Sequence, residues 1–154
     1  MAKNPISTWF FVLVVVRLGH RFLMVHEGQK HGQLWYLPAG RVENGETFFD
    51  AAKRETLEEA GLPIQVEGIM RVEHSPFPDG SARLRVIMLA RPIDDTPPKS
   101  QPDQESLGAS WLTLDQIRLL PLRGQEVIEI CQYVAEGGAI YPVGLLTAEG
   151  APLI

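Results

Sequence analysis

Cysteine is almost missing from this chain of 154 residues: Cys131 stands alone, so no disulfide can form within it. It lies in an apolar helical stretch, where a free cysteine behaves as a small buried hydrophobe rather than a nucleophile. A reducing cytoplasm is the expected compartment. Long hydrophobic runs are missing too. Trp9 to Val16 is an apolar run ended by Arg17, far short of the roughly 20 residues a membrane helix needs and without a small-residue cleavage site after it. It reads as a buried strand, and no membrane partner is expected. Nor is there a Lys/Arg cluster: with a net charge of −5 the chain has no basic stripe to displace the counterions of a nucleic-acid polymer. None of the four histidines has zinc-site spacing, and no internal repeat or low-complexity segment is evident. What remains, 45% hydrophobic and 21% charged residues, is ordinary for a small globular protein long enough to bury a core. One domain over 1–154 is expected, with its core at about 8–136 and a tail over 139–154. Any anionic substrate must then be held by metal and a few placed cations.

Residues 40–62 carry most of the information. Thr47 with Asp50 three residues on resembles a capping box, Phe48 to Ala60 contains neither Pro nor Gly, and Gly61 stands where a left-handed C-cap is wanted. A single helix of about three and a half turns follows. At about 100° per residue, Glu55, Glu58 and Glu59 share one face, and Phe49, Ala52, Thr56 and Ala60 form a stripe that can pack on a sheet. Like charges at these spacings repel by a few tenths of a kcal/mol each, so the isolated helix gains nothing from the arrangement. A hard cation reverses the sign, because Mg²⁺ takes oxygen ligands and fills its other positions with water and substrate phosphate. The plain alternative is a solvated acidic face with Arg54 paired to Glu58. Gly40, Glu46, Arg54, Glu55, Glu58, Glu59 and Gly61 at fixed spacing would arise by chance in roughly one in a million such chains, which weighs against that alternative.

The segment resembles the signature of the Nudix (MutT-like) hydrolases, G-x5-E-x7-R-E-U-x-E-E-x-G-U, where U is bulky and apolar. Thr56 departs from it, standing where the first apolar residue is usual, and Ala39-Gly40 replaces the commoner Gly-Gly. Since Thr56 lies on the packing stripe, an altered core contact is expected and no loss of chemistry. Leu34 to Pro38 before the segment and Ser110-Trp111-Leu112 after it fit the family layout, so the likeness spans about residues 8–135.

Strands are expected at Trp9 to Val16, Arg21 to His26, Leu34 to Leu37, Ile64 to Glu73, Arg83 to Ala90 and Ala109 to Leu112, with a hairpin turn at Pro78-Asp79-Gly80. Thr113 can cap a short helix through Leu119, and Arg123 to Glu136 reads as a longer one. The fold class is α+β with a mixed sheet, and the resemblance implies the family's α/β/α sandwich. The tail, apolar but broken by Pro and Gly, packs either on the body or on a second subunit, so monomer and homodimer both stay open.

The resemblance implies that Glu58 and Glu59 are the main Mg²⁺ ligands, that Glu55 is a further ligand or water-orienting base, and that the Ala39 carbonyl completes the protein side. Mn²⁺ can substitute. Arg54 would hold Glu55 by a bidentate pair, and Glu46 would tie the loop to the helix. Glu105, six residues before Trp111, is the candidate general base, with Asp103 in reserve; a solvated loop acid is the even alternative for either. Trp35 and Tyr36 alternate in direction, so one can face the cleft and offer a ring to a base. Phe77, between Pro76 and Pro78, could stack on a base; Arg83 and Arg85 share a strand face and could reach a phosphate, or be a solubility device on an edge strand. His74 is the one histidine worth testing.

The expected substrate is a small-molecule phosphoanhydride. It is a nucleoside di- or triphosphate, ordinary or oxidised, or a related organic diphosphate such as a thiamin-type pyrophosphate. A nucleotide-sugar or ADP-ribose hydrolase is the nearer alternative. A non-catalytic nucleotide sensor is the alternative of another class, though its mark would be loss of these carboxylates, and all are present.

Overall fold

The structure, a computed structural model, describes residues 3–153. Strand β1 (Thr8–Leu18) is its spine. Alternate residues of a strand face opposite sides, so Val12, Val14 and Val16 enter one core while Leu13 and Val15 enter another. All five are buried, and each such side chain stabilises the fold by roughly 1.5–3 kcal/mol. An unpaired charge at Val14 would break this layer. The run expected to be buried throughout is not: Trp9 is 53% and Phe10 42% exposed, and the helix that begins at Phe48 reaches the start of the strand only through that residue, whose ring meets Phe10 edge to face at 5.8 Å.

The chain continues through β2 (Arg21–His26), β3 (Trp35–Tyr36), β4 (Ala39–Arg41), α1 (Phe48–Ala60), β5 (Ile64–Pro76), β6 (Ala82–Pro92), β7 (Gly108–Thr113), α2 (Leu114–Ile117) and α3 (Glu126–Ala135). The sheet is mixed, in the order β3-β2-β1-β6-β5, with β4 beside β1 and β7 beside β2. β1 runs parallel to β6 over Thr8↔Ala82 to Val16↔Ala90 and antiparallel to β4 at Phe11↔Arg41. Helix α1 covers one face through Ala51, Ala52 and Ala60, and α2 and α3 cover the other through Ile117, Val127, Cys131 and Val134. This is an α+β fold of α/β/α layers.

Local rules explain α1 in full. Thr47 Oγ1 accepts from Asp50 N–H and the Asp50 carboxylate accepts from Thr47 N–H, each at 3.0 Å, which closes the capping box. Gly61 ends the helix at φ 80°, and a side chain there would also press on Lys99, whose own N–H bonds the Ala60 carbonyl at 2.7 Å. Thr56 is fully buried and donates to the Ala52 carbonyl at 2.8 Å, so its hydroxyl is satisfied where the family usually has an apolar residue.

Four expectations are corrected. β3 is two residues long, because the Leu34 N–H turns back to the His31 carbonyl at 3.4 Å within the preceding turn. β4 goes unforeseen. Helix α3 starts at Glu126 rather than Arg123, since Leu122 bridges to Trp35 and Arg123 N–H bonds the Trp35 carbonyl at 2.9 Å. β6 is interior, flanked by β1 and β5, so Arg83 and Arg85 are not on an edge. The Pro78-Asp79-Gly80 turn does join β5 to β6, with Phe77 N–H bonding the Ser81 carbonyl at 2.8 Å. The tail packs on the body: Ile69 and Tyr141 exchange two backbone bonds of 2.8 Å, and Ile140 lies so close to Gly68 that a Cβ there would stand 2.3 Å from its methyl group. Among the described residues, no helix is long and apolar enough to cross a membrane.

Candidate active site

A cleft of about 900 Å³ opens where β4 and α1 meet the end of β2. Glu59 forms its floor. The side chain points inward from α1, is 8% exposed, and accepts from Ala39 N–H through Oε1 at 3.0 Å. Burial pushes its carboxyl up to about 8; Glu55 and Glu27 nearby push the same way, while the Ala39 N–H and Arg123 oppose them. Glu55 is raised as well, chiefly by burial, against the pull of Arg54. Gly40 explains itself here: a Cβ would lie 2.0 Å from Glu55 Oε1, so only glycine lets β4 press against this carboxylate.

Arg54 organises the acidic side. Its fork grips Glu46, Nε to Oε2 at 2.7 Å and Nη2 to Oε1 at 3.0 Å, while Nη1 reaches Glu55 at 2.9 Å and Glu58 at 3.3 Å. The bidentate partner is therefore Glu46, which corrects the expectation that it is Glu55. Two parallel bonds need a carboxylate lying edge-on in the plane of the guanidinium, and the loop carries Glu46 there, whereas adjacency on the helix gives Glu55 only one nitrogen. Glu46 also accepts from Glu43 N–H at 2.8 Å and is held below the usual carboxylate range by Arg54. Glu58 has a half-open side chain and lies beside Arg54, outside the lining of the cleft.

Glu105 faces the cleft from the loop before β7, close enough for its charge to raise Glu55 further. Asp103 is occupied: Lys99 Nζ bonds it at 2.7 Å and it accepts from the N–H groups of Glu105 and Ser106. Lys99 first, then those N–H groups, keep its carboxyl low. That leaves Asp103 as the brace of the loop that carries Glu105.

On the other wall, Tyr36 lines the cleft and Trp35 does not. Trp35 stacks on His26 with centroids 4.6 Å apart and planes at 3°, which removes it from the expected ring-binding role. Tyr36 is almost wholly buried, donates to Glu126 at 2.7 Å and carries Arg123 over its ring at 4.8 Å. Its phenol is pushed up to about 12, first by burial and then by Glu126. Phe77, at the hairpin, lines a separate groove of about 630 Å³ with His74 and is absent from the main cleft, because the turn carries it past the mouth. Arg83 and Arg85 line both, yet Arg85 is paired with Glu73 at 2.6 Å and stands 4.0 Å from Glu126.

Sequence reasoning overlooked Glu27. It is 5% exposed, its Oε2 accepts from Arg123 Nη1 at 2.8 Å, and its Oε1 has no partner among the described residues. The signal was available in alternation: Leu23 and Val25 face α1, so a two-residue step puts Glu27 beneath it. Ser106, which donates to the Glu59 carbonyl at 2.6 Å, had no such signal.

The donors suit a hard divalent ion: all are oxygens, and a buried and a partly buried carboxylate that resist ionisation become favourable once a cation faces them. Among the described residues no three His, Cys, Asp or Glu side chains stand close enough together to hold a metal ion by themselves.

Comparison with known proteins gives a consistent result. The model of the NUDIX domain matches residues 10–130. The chain is 34% identical over 130 residues to the 8-oxo-dGDP phosphatase NUDT18 of Homo sapiens, covering 82% of this chain and 39% of that protein. It therefore spans well under half of that relative's length. It is 29% identical over 136 residues to phosphatase NudJ of Shigella sonnei (strain Ss046), with 88% of each covered. Among solved structures, a NUDIX hydrolase from Nitrosomonas europaea superposes with a TM-score of 0.75 at 25% identity, covering 94% of this chain and 100% of that one.

Proposed function

The chain belongs to the NUDIX family, and from that membership we propose that it is a Mg²⁺-dependent hydrolase of a small nucleoside diphosphate or a similar organic diphosphate. The observation that carries this reading is Glu59, a carboxylate buried on the floor of an open cleft, beside Glu55 and opposite Glu105, whose ionisation needs a cation. Glu55 and Glu59 would hold Mg²⁺ with the Ala39 carbonyl, and Glu58 would join by turning from Arg54. The ion would neutralise charge on the phosphoryl oxygens as the anhydride breaks.

The chain's own residues do the rest. Arg54, anchored by Glu46, holds Glu55 in one orientation. Glu105, unpaired among the described residues and braced through Asp103, accepts the proton of the attacking water. Tyr36, immobilised between Arg123 and Glu126, forms the wall against which the organic part lies. Phe77 touches only a substrate long enough to leave the cleft. Diphosphates are favoured over nucleotide sugars because the two curated relatives compared above are named phosphatases, one of them for 8-oxo-dGDP.

The test is hydrolysis with Mg²⁺ across ordinary and 8-oxo nucleoside di- and triphosphates, thiamin diphosphate, ADP-ribose and a nucleotide sugar, with products resolved and Glu59→Gln as the blank. Turnover of one diphosphate, silenced by EDTA and by Glu59→Gln, is expected. Tight nucleotide binding with no turnover of any compound would turn the case to a sensor.

A further inference from the structure

The cleft that gathers carboxylates also carries a row of cations, and the row is built in an unusual way for a chain of net charge −5. Arg41 and Arg83 both line it. Arg54, Arg71, Arg85, Arg91, Arg118 and Arg123 are each paired with a carboxylate, whereas among the described residues no carboxylate pairs with Arg41 or Arg83. Both are seated on aromatic rings instead. The Arg83 guanidinium lies 3.9 Å from the centroid of Phe11, and that of Arg41 lies 4.3 Å from Trp9 and 6.0 Å from Phe11.

Sheet register produces the row. Phe11 on β1 stands directly opposite Arg41 of β4 on one side, and Trp9, two residues back on the same face, stands opposite Arg83 of β6 on the other. Phe11 is thus the spacer between two guanidiniums carried by β4 and β6, each paired with β1. The position of Arg41 is fixed twice more: Arg54 Nη2 donates to its carbonyl at 2.9 Å, and Gly40 before it is pressed against Glu55.

A carboxylate partner would hold a guanidinium and cancel its charge. A ring face holds it and leaves the charge whole, so its planar donors remain free for an anion and lose little freedom when one binds. We propose that Arg41 and Arg83, spaced by Phe11, form an anion clamp for the phosphate of a diphosphate that is not held at Glu55 and Glu59. This rests on the diphosphatase reading above and deepens it. The clamp makes the protein prefer diphosphates to monophosphates, and it assigns to Arg41 the phosphate contact that Arg85, spent on Glu73, does not supply.

Methylenediphosphonate, a diphosphate analogue with no base and no cleavable bridge, is the probe, titrated calorimetrically with Mg²⁺ into wild-type protein and the variants Arg41→Met, Arg83→Met and Phe11→Leu. Each arginine variant should bind about tenfold more weakly, with a shallower salt dependence, and Phe11→Leu should weaken binding by a smaller factor with both charges retained. Orthophosphate should show much smaller losses. Circular dichroism checks that each variant is folded. Unchanged affinity in both arginine variants overturns the clamp, and if the wild-type protein turns over a diphosphate that Glu59→Gln does not, the hydrolase reading survives it. Weakened affinity in both, in a protein that turns over none of the compounds named above, upholds the clamp and removes the hydrolase reading.

Discussion

Replacing Glu59 with Gln should make the metal-free protein more stable, and increasingly so as pH rises. The folded carboxyl keeps its proton up to about 8, against an ordinary value of 4.5. Below the ordinary value the group is protonated in both states and its stabilising contribution is fully present. Above it the unfolded chain releases a proton that the folded chain retains, so unfolding becomes easier by about 1.4 kcal/mol per pH unit until the folded group ionises as well. Across the interval from 4.5 to about 8 this amounts to about 4–5 kcal/mol, a large part of the roughly 5–15 kcal/mol that holds a domain together. Gln keeps the volume and the Oε1 acceptor for Ala39 N–H, and removes only the titration. Urea unfolding in EDTA, from about pH 4.5 to about pH 9, should give equal stabilities at the acid end and a gap opening to about 4 kcal/mol in favour of the variant. Glu55, also raised by burial, leaves the variant a residual slope, so the difference between the two curves is the quantity to read. Curves that stay parallel would refute the burial argument. Added Mg²⁺ should close the gap by binding the ionised wild-type site at neutral and alkaline pH, where a cation replaces the proton.

Arg54→Lys should lower kcat by about tenfold or more with a smaller change in KM, because an ammonium cannot grip both Glu46 oxygens and still hold Glu55; a change in KM alone would mean that Arg54 contacts substrate. Gly40→Ala should displace Glu55 and lower turnover, at a stability loss of about 1–3 kcal/mol measured by urea unfolding, and a neutral result would contradict the close approach of β4 to α1. Gly61→Ala should lose about 1 kcal/mol or more in the same assay, given its φ of 80° and the contact with Lys99. Phe77→Ala should leave KM for small diphosphates within about twofold, since the ring lies outside the cleft; a large rise would restore it as a stacking residue.

What the sequence determined by itself is whatever depends on neighbours in the chain. The bounds of α1, its capping box and the Gly61 end follow from spacings of three and four residues, and the structure reproduces them. The longer strands followed from apolar and β-rich runs bounded by turn residues, which the short β3 and β4 lack, and the family signature needed only one continuous segment. Tertiary structure decided everything that depends on what lies across a strand or beneath a helix. Arg54 chose Glu46 for its fork because a loop, not the helix, supplied the matching geometry. Trp35 left the cleft for His26, Arg85 was claimed by Glu73, and Trp9 stayed uncovered. Glu27 and Arg123 met across 96 residues of chain, and Arg41 and Arg83 came to flank Phe11 through two strand registers. Side-chain direction along a strand has a period that can be read locally, but its partner and its burial are set by register with distant strands and by what packs above them, and those long-range pairings leave no mark within a single segment.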